Sequence, residues 1–138
     1  VARLLKPGGR ACIQSIVIDD ALFERYVQGT DFIQQYIFPG GCLPSPSRIR
    51  AAAQAAGLRV VEEFAFGYDY AETLRRWHQR FVQQRGKVQA QGFDARFQRT
   101  WEFYLAYCEA GFDARSIDVV QYTLIKDGER PASSGTLL

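Results

Sequence analysis

The sequence predicts an α/β fold, with three strands in one sheet and helices inserted between them. Three observations predict it. Short apolar runs rich in β-branched residues recur at residues 11–18, 58–64 and 117–125. Helical periodicity fills the intervals between the runs. Turn signals rich in Pro and Gly separate the two kinds of segment. At 138 residues the chain fits one domain at most. A hydrophobic fraction of 47% lies in the globular range and argues against wholesale disorder.

The elements follow in chain order. Residues 3–9, RLLKPGG, read as the end of a helix and a turn. Lys6 suits a helix C-terminus, and Pro7-Gly8-Gly9 stops the helix. Its body would precede Val1, and the chain contains no methionine. The sequence is therefore expected to be processed or a piece of something longer. Residues 11–18 read as a buried strand covered on both faces, with Gln14 and Ser15 as polar interruptions. A polar side chain there needs a partner or costs about 1–3 kcal/mol, so the pair is a candidate for function or for a bond to a nearby loop.

Residues 19–36 read as helical in part, with Phe23, Tyr26, Val27, Phe32, Ile33 and Tyr36 at helical spacing. Phe38-Pro39-Gly40-Gly41 breaks the pattern. Ser45 then reads as an N-cap, with Pro46 at the first position of a helix running to about Ala56. Gly57 stops it, and residues 58–64 form the second strand. Two longer helices come next. Tyr70, Leu74, Trp77, His78, Phe81 and Val82 line one stripe, and Phe93, Phe97, Trp101, Tyr104, Leu105 and Cys108 line another. Both stripes are unusually aromatic, as core or as the wall of an apolar ligand cavity. Residues 117–125 are the third strand. The tail from 128 to 138 is small, polar and aperiodic, and is expected to be disordered.

Composition excludes several classes. A net charge of +2 is too small to argue for nucleic acid. The basic residues are mostly Arg; only Lys6, Lys87 and Lys126 are Lys. Arg forks onto carboxylate and phosphate, which leaves an anion-binding role open beside plain genome bias. Cys12, Cys42 and Cys108 are widely spaced among apolar neighbours, form no C-x-x-C pair, and read as buried small hydrophobes in a reducing compartment. A single His, His78, cannot complete a zinc site with them. No apolar run approaches the roughly 18–20 residues of a membrane span, and no leader pattern opens the chain, so a cytoplasmic protein is expected. G-x-G-x-x-G, the P-loop pattern and G-x-S-x-G are all absent. The adjacent pairs Asp19-Asp20 and Glu62-Glu63 read as solvated charge.

RLLKPGG before a strand resembles the late part of class I S-adenosylmethionine (SAM) methyltransferases, where such a turn leads into the fifth strand. The string Gly29-Thr30-Asp31-Phe32-Ile33 through Ile37-Phe38-Pro39-Gly40-Gly41-Cys42-Leu43-Pro44-Ser45 resembles the cyclopropane-fatty-acyl-phospholipid synthase family. So do DYAETL from Asp69, YLAYCEAGF from Tyr104, and Ile117-Asp118-Val119-Val120-Gln121. The resemblance covers about residues 3–126. The turn alone is a weak motif; the three strings in this order are a strong one.

The resemblance implies the C-terminal part of a Rossmann-like sheet, three strands with lipid-facing helices, over residues 1–127. It implies transfer of a methylene from SAM to the cis double bond of a phospholipid acyl chain. Such chemistry needs a dry apolar tunnel, aromatic faces that tolerate a cation, and a placed base, which the family is thought to find in bound bicarbonate. For that anion, Gln14 matches the family's His, Ile16 the backbone amide two residues on, and Tyr70 a tyrosine whose hydroxyl touches it. A Gln amide can donate to an anion but cannot titrate. Leu74, Tyr104 and Cys108 match acyl-pocket positions. The family's SAM-binding loop and ribose-binding acid have no match in these residues. The implied partner is a phospholipid acyl chain at the inner membrane face, reached by a peripheral protein, and an open sheet edge leaves room for a homodimer. The rival expectation is a non-catalytic module that binds an apolar ligand or dimerises.

Overall fold

The computed structural model describes residues 1–128; the expected disorder of the tail lies almost wholly outside them. Three strands form one sheet in the order β1-β3-β2. They are β1 (Arg10–Ile18), β2 (Leu58–Ala65) and β3 (Ile117–Lys126). The central β3 runs antiparallel to both neighbours, from Arg10↔Ile125 to Ile18↔Ile117 on one side and from Leu58↔Lys126 to Ala65↔Val120 on the other. Six helices surround it: α1 (Asp20–Gln28), α2 (Phe32–Tyr36), α3 (Pro46–Ala55), α4 (Gly67–Gln83), α5 (Arg85–Ala90) and α6 (Ala95–Asp113).

Alternation along β3 divides the core in two. Val120, Tyr122 and Leu124 join Val17, Ala53 and Leu58 beneath α3. Val119 faces the other way and joins Ala71 and Leu74 of α4 with Leu105 and Phe112 of α6. The result is a sheet with α3 on one face and the α4–α6 pair on the other.

The opening turn is held by Lys126. Its ammonium donates to the carbonyls of Ala2 and Leu5, each at 3.0 Å, and those are the acceptors a helix end leaves free. Gly8 takes φ +74° in this turn, a conformation only glycine adopts without strain.

Several expectations are corrected. β1 is not covered on both faces: it lies at one side of the sheet and is largely exposed from Arg10 to Gln14, with only Val17 and Ile18 buried. Cys12 and Cys42 are exposed, and Cys108 alone is largely inside. Ser45 begins α3, but its hydroxyl lies against that of Ser47 (3.2 Å) and makes no bond to the helix backbone. Asp20 meets the helix start instead, accepting from Ser47 N and Oγ at 3.2 and 2.5 Å. Glu63 is not simply solvated, because Arg50 grips it with a fork at 2.6 and 2.8 Å.

A wall of aromatic side chains beside an open strand edge

The helical spacing of aromatics in α6 produces a ladder. Ring centroids of Phe93 and Phe97 lie 4.4 Å apart, those of Phe97 and Trp101 5.9 Å, and those of Trp101 and Tyr104 5.0 Å. Residues three or four apart share a helix face, which is why the sequence period becomes a continuous surface. From α4, Tyr70 meets Phe112 at 5.1 Å and Trp77 at 6.5 Å. Phe38, from the loop after α2, sets its edge on Tyr104 at 6.2 Å. Trp77, Phe81, Trp101, Tyr104 and Leu105 line a groove of about 390 Å³ between the two helices.

Ion pairs lock the helices together. Arg75 of α4 reaches Glu72, Glu109 and Asp113 at 2.7, 3.0 and 3.1 Å. Arg85 forks onto Glu102 at 2.5 Å. The arginine-rich composition thus finds a structural use in Arg48, Arg50, Arg59, Arg75, Arg76 and Arg85, each paired with a carboxylate.

The residues expected at a site partly converge. Ile16, Tyr70, Tyr104 and Cys108 all pack on the cluster between the sheet and α4–α6. Leu74 lies within that cluster at 2% exposure, as core rather than open lining. Burial pushes the Tyr104 hydroxyl above its usual range, with the Cys108 thiol and the Tyr70 hydroxyl adding to the shift. Burial, then the Asp31 carboxylate, pushes the Cys108 thiol up to about 11. A thiol there stays protonated and packs as an apolar group. The same Asp31 carboxylate caps α2, accepting from Gln34 N at 2.8 Å.

Gln14 stands apart, exposed, with its side-chain oxygen accepting from Gln121 Nε2 at 3.0 Å. Ile18 N donates to Pro44 O, off the sheet, whereas Asp19 N donates to Ser116 O at the end of the β1–β3 ladder. Alternate residues of an antiparallel strand direct their amides the same way. The N–H groups of Gln14 and Ile16 therefore point off the same free edge as that of Ile18. Among the described residues, β1 pairs only with β3.

Sequence reasoning missed Asp118 and Gly67. Asp118 Oδ1 accepts from Gly67 N (2.8 Å) and Val119 N (2.7 Å), which fixes the start of α4. A lone acid at the head of a strand gave little signal of this.

The two strand-to-helix junctions do not form a nucleotide cradle. Asp19 closes the first with its own carboxylate, and Asp118 occupies the leading amide of the second. At these two junctions the capped amides are not free to bind SAM.

Residues 1–122 match the family described as mycolic acid cyclopropane synthetase. The chain belongs to this family. Among its relatives is the tuberculostearic acid methyltransferase UfaA1 of Mycobacterium tuberculosis, 46% identical over 129 residues, covering 91% of this chain and 30% of that protein. The cyclopropane-fatty-acyl-phospholipid synthase of Escherichia coli is 39% identical over 92 residues, covering 65% of this chain and 23% of that protein. In structure the chain superposes on the mycolic acid cyclopropane synthase CmaA1, complexed with SAH and CTAB, with a TM-score of 0.79 at 28% identity. That match covers 90% of this chain and 46% of CmaA1. The cyclopropane synthase MmaA2 from Mycobacterium tuberculosis shares the fold, with a TM-score of 0.78 at 23% identity. The chain thus spans less than half the length of these relatives. The resemblance drawn from IFPGGCLPS, DYAETL and YLAYCEAGF is confirmed at the level of the family.

Proposed function

We propose that the protein carrying this chain transfers a one-carbon unit from SAM to the cis double bond of a phospholipid acyl chain, closing a cyclopropane ring. This chain supplies the lipid-facing wall and part of an anion site. One observation carries the reading: in a member of the cyclopropane synthetase family, the aromatic α4–α6 wall and the open edge of β1 meet in a single cluster through Ile16 and Tyr70. SAM would be held by residues outside this chain and would supply the methyl group, leaving as S-adenosylhomocysteine.

The wall suits the chemistry. An alkene that gains a methyl cation leaves positive charge on the chain. Ring faces such as those of Tyr104 and Trp101 attract that charge. Packed apolar side chains keep out water that would trap it. Loss of a proton from the added carbon then closes the ring. The outward N–H of Ile16 and the hydroxyl of Tyr70 are the donors proposed to hold a bicarbonate, whose chemistry when bound is to accept that proton. The amide of Gln14 would add a donor without taking part in proton transfer. Acyl chains of bilayer phospholipids as substrate place the protein at the cytoplasmic membrane face. No helix among the described residues is long and apolar enough to cross that membrane.

A second outcome, a methyl branch instead of a ring, is favoured by the 46% identity to a tuberculostearic acid methyltransferase. Both outcomes use the same acyl wall. The test is Tyr70→Phe in the intact protein. Turnover should fall by roughly 10²-fold with SAM affinity unchanged, as expected for a group aligning a base. Unchanged turnover removes Tyr70 from the site. Acyl-product analysis by mass spectrometry separates ring from branch.

A further inference from the structure

We infer that the far end of the α4–α6 hairpin, around α5, is a docking surface for anionic phospholipid membranes. The inference rests on the acyl-lipid reading above and extends it from the substrate's tail to the surface that presents it.

Charge is the first observation. The chain as a whole carries +2, yet residues 79–99 hold five basic side chains against one acid. Arg85 is consumed by Glu102. Asp94 is consumed as the cap of α6, accepting from Phe97 N at 2.7 Å. Arg80, Lys87, Arg96 and Arg99 remain exposed, with no acidic partner in ion-pair range among the described residues.

Apolar exposure is the second. Phe93 stands 43% exposed at the turn into α6, and Val82 39% exposed at the end of α4. Exposed aromatic and aliphatic groups ringed by unpaired cations are the composition of a segment that lies in a membrane interface. Basic side chains near an anionic surface each add attraction there, and their long stems rest on apolar surface while the charge stays wet.

Continuity is the third. Phe93 is the first rung of the ladder that runs through Phe97 and Trp101 to Tyr104. The groove beside that ladder has Arg80 at its rim. The basic tip and the acyl wall are thus joined by one unbroken aromatic face. A tip seated among headgroups would deliver an acyl chain to the wall without carrying it through water.

The test uses the intact protein and vesicles of phosphatidylglycerol mixed equally with phosphatidylcholine, with pure phosphatidylcholine vesicles as reference. The double variant Arg96→Gln/Arg99→Gln should bind the anionic vesicles about tenfold more weakly or worse. Arg96→Lys/Arg99→Lys should retain binding, and raising salt should weaken the unaltered protein. Turnover of the same lipid in detergent micelles should be unchanged in the Gln variant, because neither arginine touches the wall. Equal vesicle binding by the Gln variant overturns the inference, as does equal binding to both kinds of vesicle. Binding of a DNA duplex in place of vesicles also overturns it and assigns the patch to nucleic acid. Vesicle binding that follows the charge, with no lipid turnover under any condition, supports the docking surface and defeats the substrate reading alone.

Discussion

The carboxylate of Asp118, on β3, accepts a hydrogen bond from the backbone N–H of Gly67, the first residue of α4, at 2.8 Å. No side chain of α4's own N-cap, Phe66, does this work. The bond ties the helix that carries Tyr70 to the middle strand. A Cβ on Gly67 would sit 2.6 Å from that same oxygen and 3.2 Å from the ring of Phe112. Asp118→Ala should therefore cost about 1–2 kcal/mol, the value of a lost cap. Gly67→Ala should cost at least as much by steric displacement. Thermal melts of the two variants check this, and an unchanged midpoint for both contradicts it.

Leu74 is placed on the acyl wall by family resemblance but lies inside the cluster behind it. Leu74→Ala should cost about 2–5 kcal/mol, the range for truncating a buried leucine. Leu22→Ala, at a site 37% exposed, should cost far less. Denaturant titration of both variants measures the difference, and equal losses would put Leu74 outside the core.

The three cysteines should separate by reactivity. Cys12 and Cys42 are exposed, whereas Cys108 is raised to about 11 by burial and by Asp31. At pH 8, alkylation read by mass spectrometry should modify the first two well before Cys108. Above the thiol's ordinary value of 9.0, the unfolded chain loses this proton before the folded one does. Cys108 should then make stability fall with rising pH from about 9 to about 11, and Cys108→Ser should flatten that slope.

Arg85 holds the Glu102 carboxyl below its usual range, chiefly through their hydrogen bond. A depressed folded pKa contributes stability that is present above the unfolded value of 4.5 and is lost as pH falls through the lower, folded one. The Glu102→Gln variant should show a weaker loss of melting temperature on acidification below that value. An identical acid profile would mean that the pair contributes nothing measurable, as exposed pairs often do not.

The order and type of elements were legible because their periods were strong. Phe97, Trp101 and Leu105 at intervals of four read as one face of a helix, and α6 carries all three. The strand runs were legible for the same reason. Which strand lay inside was not. Ala11 to Ile18 is as apolar as a central strand, yet β3 takes the centre, and that depends on pairing between residues more than a hundred positions apart. Resemblance and helix spacing together named Tyr70, Tyr104 and Cys108, and these three pack on one cluster. Asp118 and Gly67 were not legible, because their roles exist only once β3 meets α4. Cys12 and Cys42 misled because local apolar neighbours say nothing of what packs above them.

The most direct test of the account supplies the intact protein with methyl-labelled SAM and membrane phospholipid, then locates the label. The account predicts label within the acyl chains at the position of the former double bond, strongly reduced in Tyr70→Phe at unchanged SAM affinity. Label absent from the acyl chains, or present at the same level in Tyr70→Phe, would contradict it.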